Sequence, residues 1–183
     1  MKEIRLHGRG GQGVVMGAEM LAYAFVIEGR FASSFPTFGA ERRGAPVAAF
    51  LRFDENPIRE THQIYEPDCV VCLDPFIGRS DSIFSGLKRD GIAIINTPKP
   101  ILEIWPYQLK ILGLVDATAL ALNVMGKAIV NTCMLGAIAR VTGWVKLESV
   151  LSCLDMNFEG KLLKKNADLV RRGYENVVIA IKE

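Results

Sequence analysis

Residues 2–26 read Lys2-Glu-Ile-Arg-Leu-His-Gly8-Arg-Gly-Gly-Gln-Gly13-Val-Val-Met-Gly-Ala-Glu-Met-Leu-Ala-Tyr-Ala-Phe-Val26, and three local patterns succeed one another along them. Charged and apolar side chains alternate through residues 2–7, the period of a strand with one buried face. Glycines at 8, 10, 11 and 13 then let the backbone turn tightly and come close to a ligand. Beyond them Val14, Val15, Ala18, Leu21, Ala22, Phe25 and Val26 recur at helical spacing until Gly29 ends the helix. A strand, a glycine loop and a helix in that order offer an anion the unpaired N–H groups and the positive dipole end of the helix. Gly8, Gly10, Gly11, Gln12 and Gly13 are the candidate cofactor-binding residues of this segment.

Outward from this unit the chain keeps a βαβ rhythm. Strands are expected at 30–35, 46–53, 58–62, 68–74 and 91–96, with a polar helical stretch at 80–89 between the last two. The apolar region from Ile111 to Val141 is interrupted by Asp116, Asn123, Lys127, Asn131 and Arg140, so it reads as buried helices and not as a membrane span. Further helices are expected at 117–125, 129–142, 147–156 and 161–179, the last with Lys164, Lys165, Arg171 and Arg172 on a solvated face. The fold expected is α/β: one domain over residues 1–183, three layers (α/β/α) around a mostly parallel sheet, opening on a Rossmann-like N-terminal βαβ unit.

Half of the 183 residues are apolar and the formal net charge is only +2, so a nucleic-acid partner is not expected. The charged N-terminus lacks the apolar stretch of a signal peptide, which points to the cytoplasm. A dinucleotide fingerprint needs an acidic residue at the end of the second strand to hold the ribose, and Ser33, Ser34 and Phe35 stand there instead. Cys69 and Cys72 have the spacing of a dithiol, but in a strand positions i and i+3 face opposite ways, so buried separate thiols are expected. His7 and His62 form no metal spacing; His7, where strand meets loop, is read as a loop cap or a donor to a ligand. Asp74 and Asp116 each close a strand at the sheet edge where α/β folds bind ligands, with helix capping an equal reading for Asp116.

A second constellation runs Ser34-Phe-Pro-Thr-Phe-Gly-Ala-Glu41-Arg42-Arg43-Gly-Ala-Pro46. Guanidinium groups between glycines suit a phosphate or carboxylate, so Glu41, Arg42 and Arg43 join the candidate binding residues; an internal ion pair is the plainer alternative. Phe38 to Gly44 also has the aromatic and arginine content of a docking loop. No complete catalytic set, Walker loop or cluster-binding cysteine framework is present, and no catalytic or metal-binding residue is assigned.

Taken in order, Gly8-Arg-Gly-Gly-Gln-Gly13, the 34–46 segment, Ile64-Tyr-Glu-Pro-Asp68, Val70-Val-Cys-Leu-Asp-Pro75, Asp116-Ala-Thr and then Asn131, Met134, Leu135 and Gly136 resemble the gamma subunit of the 2-oxoacid:ferredoxin oxidoreductases over nearly the whole chain. The resemblance implies a mixed sheet, with antiparallel pairing at 46–53 and 58–62. It implies oxidative decarboxylation of a 2-oxoacid with coenzyme A, giving acyl-CoA, carbon dioxide and reduced ferredoxin. Thiamine diphosphate and iron-sulfur clusters would belong to alpha, beta and delta partner subunits, leaving no cofactor in this chain and no activity in it alone. Phe35-Pro36 and Glu41-Arg42-Arg43 look most like the pyruvate and branched-chain members, placing pyruvate first and 2-oxoisovalerate second. The alternative on residues alone is a stand-alone nucleotide- or dinucleotide-binding protein.

Overall fold

Alternation in the first strand sends Ile4 and Leu6 into the core, while Glu3, Arg5 and His7 face the other way. The computed structural model describes residues 1–37, 44–76, 81–99 and 108–182. Within them the elements run β1 (Lys2–Arg9), α1 (Val14–Ile27), β2 (Phe31–Pro36), β3 (Pro46–Asp54), β4 (Cys69–Cys72), a 3-10 turn (Asp81–Phe84), β5 (Gly91–Asn96) and β6 (Leu109–Val115). There follow α2 (Ala117–Met125), α3 (Asn131–Thr142), α4 (Leu147–Ser152), a second 3-10 turn (Leu154–Met156), α5 (Gly160–Asn176) and β7 (Val178–Ile181). No helix among the described residues is long and apolar enough to cross a membrane.

The strands form one seven-stranded mixed sheet in the order β2-β3-β1-β4-β5-β6-β7, as expected of the α/β class. β1, β4, β5 and β6 are parallel neighbours, whereas β3 runs antiparallel to both β1 and β2, and β7 antiparallel to β6. The opening βαβ unit is therefore split: β1 and β2 point the same way with β3 between them. Alternate residues of the central strands sort into two cores. Val71, Ile94 and Val115 pack with all five α-helices, while Val70, Ile95 and Leu114 pack with Ile83, Phe84 and Leu87 of the first 3-10 turn and its continuation. The same alternation puts Cys69 in the first core and Cys72 in the second, so the two sulfurs cannot meet; both are free, and burial pushes the Cys72 thiol up to about 12.

Four sequence expectations change. Residues 58–62 form no strand: Arg59 to His62 are exposed and only Ile58 is half-buried, so the segment has no apolar face to lay on the sheet. The helix expected at 80–89 is only the 3-10 turn; Gly86 then adopts a left-handed φ of 72°, where a Cβ would lie 2.0 Å from the Tyr65 carbonyl oxygen. The start of the apolar Ile111–Val141 region is β6, not helix: a strand covered on both faces has no period to distinguish it from a buried helix. The last helix stops at Asn176, and the β-branched Val178 and Ile179 pair instead with the otherwise open edge of β6.

Helix α3 is the centre of the helical layer, with ten of its twelve residues buried. Its contact with α5 is backbone to backbone: a Cβ on Gly136 would lie 1.9 Å from the Val170 carbonyl oxygen, and one on Gly173 1.9 Å from that of Cys133. Thr132 Oγ1 donates to Asn166 Oδ1 at 2.9 Å, fixing the register of the two helices. Gly173→Ala is expected to force the helices apart and lower stability by about 1–3 kcal/mol, the usual range for overpacking, read as a lower urea midpoint at unchanged slope.

Candidate functional site

The carboxyl ends of the parallel strands lie along one edge of the sheet, and the starts of α1, α2 and α3 meet them there. The glycine loop is built into this edge from both sides. Gly10 N–H donates to Ala45 O at 2.9 Å and Gly44 N–H to Gly10 O at 3.1 Å, carrying the β1–β3 ladder one step past its last pair, Arg9 and Pro46. Gly11 and Gly13 take φ of 96° and 77°, values an L side chain resists, and Gly13 caps α1 with no side chain of its own. At Gly8 the lack of a Cβ serves packing: one would lie 2.6 Å from Val14 Cγ2.

Gln12 is a strut. Its Oε1 accepts from Arg9 N–H at 2.8 Å, which leaves its Nε2 to donate to Asp74 Oδ2 at 2.9 Å. The Arg9 guanidinium meets the same carboxylate, Nε to Oδ2 3.2 Å, and also donates to Gly44 O at 3.1 Å. Asp74 Oδ1 accepts from Phe76 N–H at 3.0 Å. The loop is thus braced through side chains from within, and its remaining capacity is backbone N–H at the α1 start. Along the edge, Asn96 is fully buried and ties β5 to its neighbours, donating to Leu73 O (2.7 Å) and Thr118 Oγ1 (2.8 Å). Asp116 caps α2, accepting from Ala119 N–H at 2.9 Å, which decides between its two readings.

Of the residues read from sequence, Gly8 to Gly13 and Asp74 come together here. Glu41, Arg42 and Arg43 lie outside the described residues; the described residues flanking that segment, Thr37 and Gly44, bond Ala48 and Gly10 respectively. Two participants carried no local signal in this role. Arg9 sits inside the motif, yet only its meeting with Asp74 gives it a task. Asn131, a member of the motif series but 118 residues after Gly13 in the chain, is 3 % exposed and lies against Gly13. The end of β2 is one strand removed from the loop, so the strand end that carries the ribose-binding acid of a dinucleotide fold does not lie beside it.

On the face of the sheet away from the five α-helices, a cavity of about 400 Å³ is lined by His7, Thr37, Pro46, Ala48 and Ser82 among others. His7 Nε2 accepts from Arg5 Nε at 3.0 Å, so Nδ1 carries the proton of the neutral ring. Arg5 in turn holds Ser85 O at 2.6 Å and Ile83 O at 3.0 Å, pinning the 3-10 turn to β1. No cluster of His, Cys, Asp and Glu able to hold a metal occurs among the described residues. The arrangement supplies hydrogen-bond donors to an anion at a sheet edge; among the described residues no nucleophile is paired with a base.

An α/β domain with a glycine loop opening on a helix start at the carboxyl edge of a mixed sheet is the class these features define. The model of the pyruvate ferredoxin/flavodoxin oxidoreductase family matches residues 3–176, and the chain belongs to that family. It is 52% identical, over 98% of both chains, to the pyruvate/ketoisovalerate oxidoreductases common subunit gamma of Pyrococcus abyssi. It is 46% identical, over 98% of this chain and 95% of the other, to the NADH-dependent phenylglyoxylate dehydrogenase subunit gamma of Aromatoleum evansii. Its fold matches the pyruvate oxidoreductase subunit PORC of Thermotoga maritima with a TM-score of 0.84 at 37% identity, covering 98% of each chain.

Burial, and then the neighbouring Arg5 charge, lower the His7 pKa to about 4. Between about 6.5, the ordinary histidine value, and 4 the unfolded chain takes up a proton that the folded chain refuses, so stability falls as pH falls through that window. The contribution is on the order of 2–3 kcal/mol. Comparing pH-dependent urea unfolding of wild type and His7→Asn should show a flatter slope for the variant between pH 6.5 and 4.

Proposed function

We propose that this chain is the gamma subunit of a multi-subunit 2-oxoacid:ferredoxin oxidoreductase that converts a 2-oxoacid and coenzyme A to acyl-CoA and carbon dioxide while reducing ferredoxin. The observation that carries the reading is its end-to-end similarity to the Pyrococcus gamma subunit. Pyruvate is the first substrate and 2-oxoisovalerate the second, in keeping with the name of that relative; a relative named for phenylglyoxylate fits a substrate choice made largely by other chains. The partners are alpha, beta and delta subunits carrying thiamine diphosphate and the iron-sulfur clusters, and the complex works in the cytoplasm.

Within the assembly, the glycine loop is the wall that receives the diphosphate of coenzyme A, the carrier whose thiol accepts the acyl group. The fit rests on an uncapped α1 start with no acidic residue in its first turn and on glycines that keep the approach open. Gly11, Gly13 and the α1 backbone would touch the phosphates, with Gln12 holding the loop in shape. A stand-alone dinucleotide-binding protein fits less well, because β3 separates β2 from the loop.

Co-expression with its neighbouring subunits tests the assignment: the purified complex should reduce ferredoxin with pyruvate only when coenzyme A is present, and turn over 2-oxoisovalerate more slowly. Gly10→Ala should raise the KM for coenzyme A while leaving that for pyruvate unchanged; an unaltered KM in a fully assembled complex rejects the loop's role. Arg42→Ala and Arg43→Ala together should weaken co-purification with the catalytic subunits, most clearly at high salt.

A further inference from the structure

Three helices start at the ligand edge, and their caps differ. α2 is closed by the Asp116 carboxylate. α1, of 14 residues, and α3, of 12, begin at Gly13 and Val130 with no side-chain cap and no acidic residue in the first turn. These two open starts meet. Asn131 Nδ2 lies 2.5 Å, and its Cγ 2.8 Å, from where a Cβ on Gly13 would stand, so only glycine permits the approach. Asn131 Oδ1 accepts from Thr132 N–H at 3.0 Å, which leaves the amide NH2 turned to the start of α1. The side chain is 3 % exposed, and its Nδ2 has no hydrogen-bond partner among the described residues.

A largely buried side chain with a spare amide N–H, set between two helix starts whose N-cap residues Gly13 and Val130 supply no side-chain bond, suits an anion as its remaining partner. Among the described residues Arg9 is the nearby cation, and it is engaged by Asp74. The donors that the described residues offer are therefore neutral and come from several directions, which suits the spread oxygens of a phosphoryl group better than the flat pair of a carboxylate, the partner of a guanidinium fork. We propose that Asn131 contacts the ligand directly, its Nδ2 donating to a phosphoryl oxygen of a diphosphate held jointly by the starts of α1 and α3. The proposal rests on the glycine loop receiving coenzyme A and adds a second wall, from the other half of the chain, to that site.

The test uses the assembled complex. Asn131→Asp keeps the acceptor for Thr132 N–H but replaces the donor by a negative charge, and should raise the KM for coenzyme A about tenfold or more at unchanged KM for the 2-oxoacid. Asn131→Ala should raise it less. Inorganic pyrophosphate should compete with coenzyme A in the wild type and lose potency in Asn131→Asp. A residue that merely caps α3 gives the reverse order, because aspartate caps as well as asparagine: wild-type kinetics for Asn131→Asp, and a lower Tm with unchanged KM for Asn131→Ala. That result overturns the proposal. Should Asn131→Asp not assemble, Asn131→Ala decides alone through the same split between KM and Tm. A raised KM in Gly10→Ala with none in either Asn131 variant rejects Asn131 and leaves the loop's role standing. Unchanged KM in all three rejects both, and pyrophosphate that fails to compete rejects the phosphoryl assignment.

Discussion

The close approach of α3 and α5, in which Gly136 lies on the Val170 carbonyl and Gly173 on that of Cys133, sets the position of nearly everything at the ligand edge. With no side chain between them the two backbones touch, and α3 sinks until almost all of it is buried. At that depth its first residue reaches the start of α1. α3 rests on β5 and β6, and a thicker contact would push α5 outward from it. The same economy recurs at the meeting point, where the missing Cβ of Gly13 makes room for the Asn131 amide. Packing glycines and a binding glycine are links of one chain of contacts.

The glycine loop is stiffened by polar bonds that leave its helix start open. Gln12 uses both ends of its carboxamide internally, and Asp74 gathers Gln12, Arg9 and the Phe76 N–H onto one carboxylate. A carboxylate beside an anion site would repel the ligand; here the Arg9 guanidinium offsets its charge. The capped α2 and the uncapped α1 and α3 make the same point from another side. The N-cap side chain of α2 closes that helix, whereas the N-cap residues of α1 and α3 do not; at α3 Asn131 Oδ1 takes up the Thr132 N–H.

Family membership agrees with this division of labour. The relatives that this chain resembles are themselves subunits of larger oxidoreductases. The split βαβ unit also explains why a motif resembling a dinucleotide fingerprint need not serve a dinucleotide: β3 occupies the place beside β1 that the ribose-binding strand would take.

The amino-acid sequence by itself determined the strand, glycine loop and helix, the strand at residues 46–53, the separation of Cys69 from Cys72 and the helices after Asp116, because each follows from a short-range period or a turn residue. It carried the family through an ordered series of motifs. Tertiary structure alone decided which apolar runs were strands. Leu109–Val115 is buried on both faces and so shows no period, while Val178–Ile181 is a strand only because β6 has an edge to fill. It likewise decided that Gln12 is a strut, that Arg9 answers Asp74 and that Asn131 stands at the loop. Those partners are about 60 to 120 residues apart in the chain, beyond the reach of any local pattern, and they are neighbours only because glycine contacts let the helices close on the sheet.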